Sequence, residues 1–204
     1  MLFIAGKASL LGKILPQIAE VVKPDTTIVS LQNGMDTEDY IAETLGRGRV
    51  LRIVVNYAGN VVANGRVIMS FFNAPNYIGI LDSSAEEIAS ELAKVISDSG
   101  IETVFTPEIK KYEWEKTILN ASLSPVCALT RKTMKQMMEC PYNRELVVSI
   151  LREGIEVASA SGITFEEGFL EFCINYLDKA GHHKTSMHVD VERGSLTEID
   201  FLNG

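Results

Sequence analysis

The feature that most constrains this chain is a change of period near residue 106. Before it, short β-branched runs alternate with amphipathic helical stretches. After it, apolar residues recur at helical spacing almost to the end. Strands need lateral partners for their backbone groups, whereas helices satisfy their own, so such a switch marks two separately packed units. We expect an α/β unit over residues 1–106 and an all-α unit over 107–204. At 204 residues, with nearly half of them apolar, the chain is long enough to build both cores.

The order of elements begins with a strand at 2–5 and helical spacing from Leu10 to Val22. Pro16 is expected in the first turn of that helix, where its missing N–H costs least. Thr27–Leu31 is a second strand, so strand, helix and strand form a parallel βαβ unit. A short helix follows over 36–45. Strands at 50–57, 66–72 and 77–80 read as antiparallel, with Asn60 and Asn64-Gly65 as turn residues between the first two. Ser83 to Glu86 resembles an N-cap for a helix ending at Gly100, and Ile101–Phe105 is one more strand. Helices are expected at 108–123, 142–161 and from a cap near Thr164 to about Lys179. Pro125 disfavours helix beyond Ser124.

The formal charge of −8 argues against a phosphate-backbone partner, so no nucleic-acid role is expected. Lys7 and Lys13 interrupt the apolar start, no small-residue cleavage site closes it, and no run approaches the ~18 apolar residues of a membrane span. Cys127, Cys140 and Cys173 are odd in number and far apart, which suits a reducing, cytoplasmic setting. His182, His183 and His188 lack acidic or cysteine partners at ligand spacing, so no metal site is expected.

The stretch richest in chemistry is Lys116 to Pro125, KTILNASLSP. Lys116, Asn120 and Ser124 are four apart and share one helical face, while Ile118, Leu119, Ala121 and Leu123 suit the packed sides. An ammonium, an amide and a hydroxyl on one stripe suit a binding site, and equally a partly solvated face over which lysine snorkels. Gln32-Asn33-Gly34 follows the second strand, where open parallel sheets take ligands, and reads equally as a plain turn. Glu198 fits the acid of a Ser195–Glu198 capping box, and Ser186 fits a helix cap.

Several landmarks fall in one order: Lys7 after a strand, LQNG at 31–34, WEKTILNASLSP at 114–125, and Ser186-Met187-x-x-Asp190. After them come Arg193-Gly194-x-x-Thr197-Glu198-Ile199-Asp200-x-Leu202-Asn203-Gly204. Over essentially its whole length this chain resembles the ketopantoate reductase (2-dehydropantoate 2-reductase) family. The resemblance implies an α/β partial Rossmann domain over 1–106, the C-terminal part of an NADP-binding domain, then an all-α substrate domain over 107–204. It implies NADPH-dependent reduction of 2-dehydropantoate, a 2-oxo acid, to pantoate in pantothenate and coenzyme A synthesis. Position by position, Lys116 matches the catalytic proton donor and Glu198 the acid that binds substrate and sets the lysine. Asn120 and Ser186 match substrate-binding positions, Asn33 the amide near nicotinamide and substrate, and Lys7 a lysine near the cofactor.

The physics of those roles is consistent. Hydride arriving at a carbonyl carbon leaves charge on oxygen, which a nearby ammonium stabilises and protonates. Glu198 opposite Lys116 would favour the charged amine.

Two departures qualify the match. Ser124, also a substrate-binding candidate, stands where the family commonly has a second asparagine, which leaves room for a different 2-oxo acid. No G-x-G-x-x-G turn occurs, so the NADPH site is expected to be incomplete and both ends of the chain truncated. An inactive remnant that associates with itself, through an open sheet edge or its helical domain, is the non-catalytic alternative.

Overall fold

The computed structural model describes residues 1–204. They fall into two compact units, Met1–Gln32 with Asp36–Tyr112, and Asn33–Met35 with Glu113–Gly204.

The first unit is built on a five-stranded sheet of β1 (Leu2–Ile4), β2 (Thr27–Ser30), β3 (Arg49–Val54), β6 (Asn76–Ile80) and β7 (Thr103–Phe105), in that order. β1, β2 and β3 are parallel, with Leu2 beside Ile28 and Ile28 beside Val50; β6 is antiparallel to β3, and β7 parallel to β6. Helices α1 (Leu11–Ile18), α2 (Thr37–Leu45) and α3 (Glu86–Asp98) supply the crossovers. The period-2 alternation of the strands decides which helix covers which face. Ile4, Ile28 and Val50 pack with Leu11, Leu15, Ile41 and Leu45 of α1 and α2. Their neighbours Val29, Leu51, Ile53 and Ile78 pack with Ala89, Leu92 and Ala93 of α3. The result is the three-layer architecture of a Rossmann-type sheet.

Three details differ from the sequence reading. Pro16 lies in the body of α1 rather than its first turn, because a 3-10 turn at Ala8–Leu10 takes up the start and α1 ends two residues later at Ile18. The expected strand at 50–57 breaks at Val55-Asn56. Asn60 then sits inside β4 (Tyr57–Ala63), which pairs only with β5 (Arg66–Phe72) around Asn64-Gly65. Asp82 caps the 3-10 turn Ser83–Ala85 that leads into α3, its Oδ1 accepting from the Ser84 N–H at 2.9 Å, and α3 itself starts at Glu86 without a side-chain cap. The β4–β5 hairpin is largely exposed, Val61 at 76% and Val67 at 65% among it.

The second unit is helical. It holds most of α4 (Ile109–Thr130), then α5 (Met134–Glu139), α6 (Pro141–Ala160), α7 (Phe169–Asp178), α8 (Ser186–Glu192) and α9 (Ile199–Leu202). Ile118, Leu123 and Cys127 of α4 interdigitate with Met137, Val147, Leu151, Cys173 and Leu177 in one buried core. α5 begins at a capping box of Thr133 and Gln136, and α7 begins at Gly168-Phe169, later than its expected cap near Thr164. α4 does not stop before Pro125 but runs through it to Thr130. No helix is long and apolar enough to cross a membrane.

Candidate active site

The second unit gathers six of the residues singled out in the sequence. Lys116, Asn120 and Ser124 lie on successive turns of α4; Lys116 and Asn120 are half-buried, and Ser124 is buried at 5% exposure. Asn33 belongs to the short segment 33–35 of the same unit. Glu198, half-buried, immediately precedes α9, and Ser186 is the first, exposed residue of α8.

α8 is tied to α4 at Ser124. The α8 cap is Thr185, not Ser186: its Oγ1 accepts from the His188 N–H at 3.2 Å and donates to the Ser124 carbonyl at 3.5 Å. Ser186 is thereby left outside the cap role. α9 is tied to α4 one turn earlier. Asn203, just past α9, donates from Nδ2 to the Ala121 carbonyl at 3.2 Å. That carbonyl is the one whose helical donor would be residue 125, and proline has no N–H to give. Asn203 therefore supplies a hydrogen bond that Pro125 removes, while Leu123, Val126 and Cys127 on either side of the proline pack in the helical core.

The capping-box reading of Glu198 does not survive. No helix starts after Ser195, whose N–H goes instead to the Asp190 carbonyl at 2.9 Å as α8 closes. Glu198 is held by the turn it begins: the Phe201 N–H donates to the Glu198 carbonyl at 3.1 Å, and the Asn203 N–H to that of Ile199 at 2.8 Å.

The LQNG stretch divides its labour. Gln32 is buried and structural, donating from Nε2 to the Ile4 carbonyl at 2.7 Å and accepting from Ser30 Oγ at 2.6 Å. Gly34 has φ +97°, and a Cβ there would stand 2.7 Å from the Phe201 carbonyl oxygen and 2.8 Å from Phe201 Cβ. Only glycine permits this approach, which lets the Met35 N–H donate to the Phe201 carbonyl at 3.3 Å. Loop 33–35, and Asn33 with it, is therefore seated on the turn that carries Glu198. The sequence reading passed over Asn203 as a role and over Phe201 altogether; the readable signal was Pro125 itself, which leaves the carbonyl four residues back without its helical donor.

Lys7 belongs to the first unit, where it precedes the 3-10 turn after β1, at the carboxyl end of a parallel strand. The densest charge cluster of that unit is an ion-pair network in which Glu38 and Arg52 are buried while Lys110, Asp36 and Asp39 meet solvent. Lys110 Nζ donates to Asp36 Oδ1 at 2.8 Å, to Glu38 Oε1 at 2.5 Å and to Asp39 Oδ2 at 2.5 Å. Arg52 Nε stands 3.8 Å from Glu38 Oε2. The three carboxylates that could have held a cation thus already share an ammonium. In the second unit, burial pushes the thiols of Cys127 and Cys173 up to about 12, the Glu115 charge adding to the effect at Cys173.

Comparison with known proteins places the chain as a whole. A family model described as ketopantoate reductase PanE/ApbA matches residues 1–83, and one described as ketopantoate reductase PanE/ApbA C terminal matches 108–204. A 2-dehydropantoate 2-reductase of Pyrococcus horikoshii is 31% identical over 186 residues, which is 91% of this chain and 61% of the relative. One from Streptococcus pyogenes serotype M3 is 26% identical over 206 residues, 100% of this chain and 67% of the relative. The chain spans 61% and 67% of the length of these two curated relatives. Among solved structures, D-mandelate dehydrogenase with NADH and anilino(oxo)acetate superposes with a TM-score of 0.88 at 25% identity, covering 99% of this chain and 66% of that one. The 2-dehydropantoate 2-reductase of Geobacter metallireducens gives 0.83 at 25% identity, covering 98% and 67%.

Proposed function

We propose that this chain, which belongs to the ketopantoate reductase family, carries the catalytic helix and substrate-binding side chains of an NADPH-dependent reductase that converts 2-dehydropantoate to pantoate. In this reading residues 1–106 are the C-terminal part of an NADP-binding domain and 107–204 the substrate domain. The observation that carries it is the docking of Glu198's turn onto α4 through Asn203 and Ala121, on the helix that bears Lys116 and Asn120. This docking supports pairing two half-buried ionic side chains, Lys116 and Glu198.

A reduced nicotinamide, when bound, supplies the hydride. Lys116 holds a proton at Nζ for the keto oxygen, where charge accumulates as the carbonyl carbon gains the electron pair. The C–O π bond becomes the oxygen's lone pair, the proton passes from Nζ to that oxygen, and the product is the 2-hydroxy acid. Glu198 holds the ammonium charged and oriented and accepts from the substrate hydroxyl. Asn120, Asn33 and Ser186 fix the substrate, and Ser124 backs the stripe from its buried position. A positioned acid of this kind contributes typically ~10²–10⁴ in rate. Lys7, at the carboxyl end of β1, fits an anionic cofactor, whereas no glycine-rich phosphate turn lies within residues 1–204. The 204-residue chain is therefore expected to bind NADPH weakly.

The test is NADPH oxidation by the full product of the gene, with 2-dehydropantoate as acceptor. Lys116→Ala should lower kcat by about 10²–10⁴; turnover near that of the wild type removes Lys116 from this role. A second reading, reduction of a different 2-oxo acid, is supported by Ser124 and by the likeness to D-mandelate dehydrogenase. Relative kcat/KM on 2-dehydropantoate and on aromatic 2-oxo acids, with NADPH and NADH, separates the two.

A further inference from the structure

The turn that carries Glu198 is only four residues long, and α9 has no side-chain cap. So short a helix does not hold its own shape in water, since the hydrogen bonds it forms cannot repay the ordering of its first turn. Its geometry must come from anchors outside it. Two are present: the Met35 N–H to Phe201 on one side, and Asn203 Nδ2 to Ala121 on the other. The second anchor exists because of Pro125. In an unbroken helix the carbonyl of Ala121 would accept from residue 125. Proline leaves it open on the helix that bears Lys116, five residues before Ala121, or about 7.5 Å along the axis at helical rise. Only the amide NH₂ of Asn203 can face a carbonyl, so the side chain's orientation is also determined.

We infer that Asn203 is a positioning residue: by donating to the carbonyl that Pro125 leaves open, it sets the register of Glu198 against the Lys116 helix. The inference rests on the reading of Lys116 and Glu198 as a working pair. Its structural half stands on the hydrogen bond alone.

A double-substitution cycle tests it. In the 204-residue chain, Asn203→Ala should speed hydrogen exchange of the Phe201 and Asn203 amides about three- to tenfold, the equivalent of one neutral hydrogen bond. Amides in the α6 core around Leu151 should not change. Pro125→Ala gives the helix its own N–H for Ala121, so in that background the effect of Asn203→Ala should shrink toward onefold. Equal acceleration in both backgrounds, or none in either, overturns the latch.

The catalytic half is read in the full gene product. There, Asn203→Ala should lower kcat about tenfold with KM little changed, and should cost nothing further once Glu198→Gln is present. Additive losses in that pair assign Asn203 a merely structural part and overturn the positioning role. If the exchange result holds but Lys116→Ala and Glu198→Gln leave kcat untouched, the functional reading itself has failed and the positioning role with it. If Lys116→Ala abolishes turnover while Asn203→Ala changes neither exchange nor kcat, the latch alone has failed.

Discussion

Replacing Gly34 with alanine should loosen the candidate site from the loop side. The new Cβ would stand 2.7 Å from the Phe201 carbonyl oxygen, backbone that cannot rotate away, and φ there is +97°. Two responses are open. If loop 33–35 stays docked, the dihedral costs roughly 1–3 kcal/mol and the overlap another 1–3 kcal/mol. If the loop lifts off, it gives up the Met35 to Phe201 hydrogen bond, about 1 kcal/mol, and the burial of a few tens of Å² at ~25 cal/mol per Å². The cheaper response sets the loss, so we expect about 2 kcal/mol, taken by undocking.

The assay is amide exchange at Met35, which should rise about thirtyfold at 1.36 kcal/mol per decade. Urea unfolding followed by the single tryptophan, Trp114, which packs against the helical core, should shift by no more than that amount. Gly34→Asn separates the two contributions, because asparagine tolerates positive φ better than alanine but carries the same Cβ. An unchanged Met35 exchange rate together with a loss under about 0.5 kcal/mol would mean that a side chain fits, and the close approach to Phe201 would have to be abandoned.

Other outcomes follow from features elsewhere in the molecule. Iodoacetamide at pH 8 should modify the half-buried Cys140 in the native chain and reach Cys127 and Cys173 only on unfolding; native labelling of either contradicts their burial. Their folded values near 12 lie above the ordinary thiol range, so the folded state keeps protons that the unfolded chain loses. Stability should therefore fall as pH rises from about 9 toward 12, visible as a declining Tm, and a flat Tm across that window is the opposing result. Lys110→Met strands the fully buried Glu38 carboxylate and should cost the first unit about 2–3 kcal/mol, less than an enclosed pair because a third of the lysine side chain meets solvent. A urea midpoint unmoved by that change would show that Arg52 alone suffices for Glu38.

The parallel βαβ start was legible from its β-branched runs, whereas the cover on both faces shows in the packing. Ile28 and Val29 are adjacent yet serve opposite faces, and the runs around Val50 and Ile78 repeat the theme. The β4–β5 hairpin misled. Val61, Val67 and Ile68 look like core residues and are exposed, so composition could not say that the strand had broken at Asn56. The Lys116, Asn120 and Ser124 stripe was readable from spacing, and α4 places them as that spacing requires. Pro125 was misjudged because the rule applied to it was local, whereas its compensation comes from Asn203. Glu198 was ambiguous for the same reason: the capping box with Ser195 is a valid local solution, excluded only because Asp190 already takes the Ser195 N–H. α5 was overlooked although Thr133-x-x-Gln136 spelled out its start.

The bond between Asn203 and Ala121 joins residues 82 apart in the chain. Closing a loop of that length costs about 4 kcal/mol of chain entropy, and the Ala121 carbonyl gains its donor only after the closure. Folding of the helical unit should accordingly proceed from the core contacts around Leu123, Met137 and Leu151, with the turn after Glu198 docking late. Contacts so remote in sequence slow the approach to the native state, which places the assembly of the Glu198 turn among its final steps.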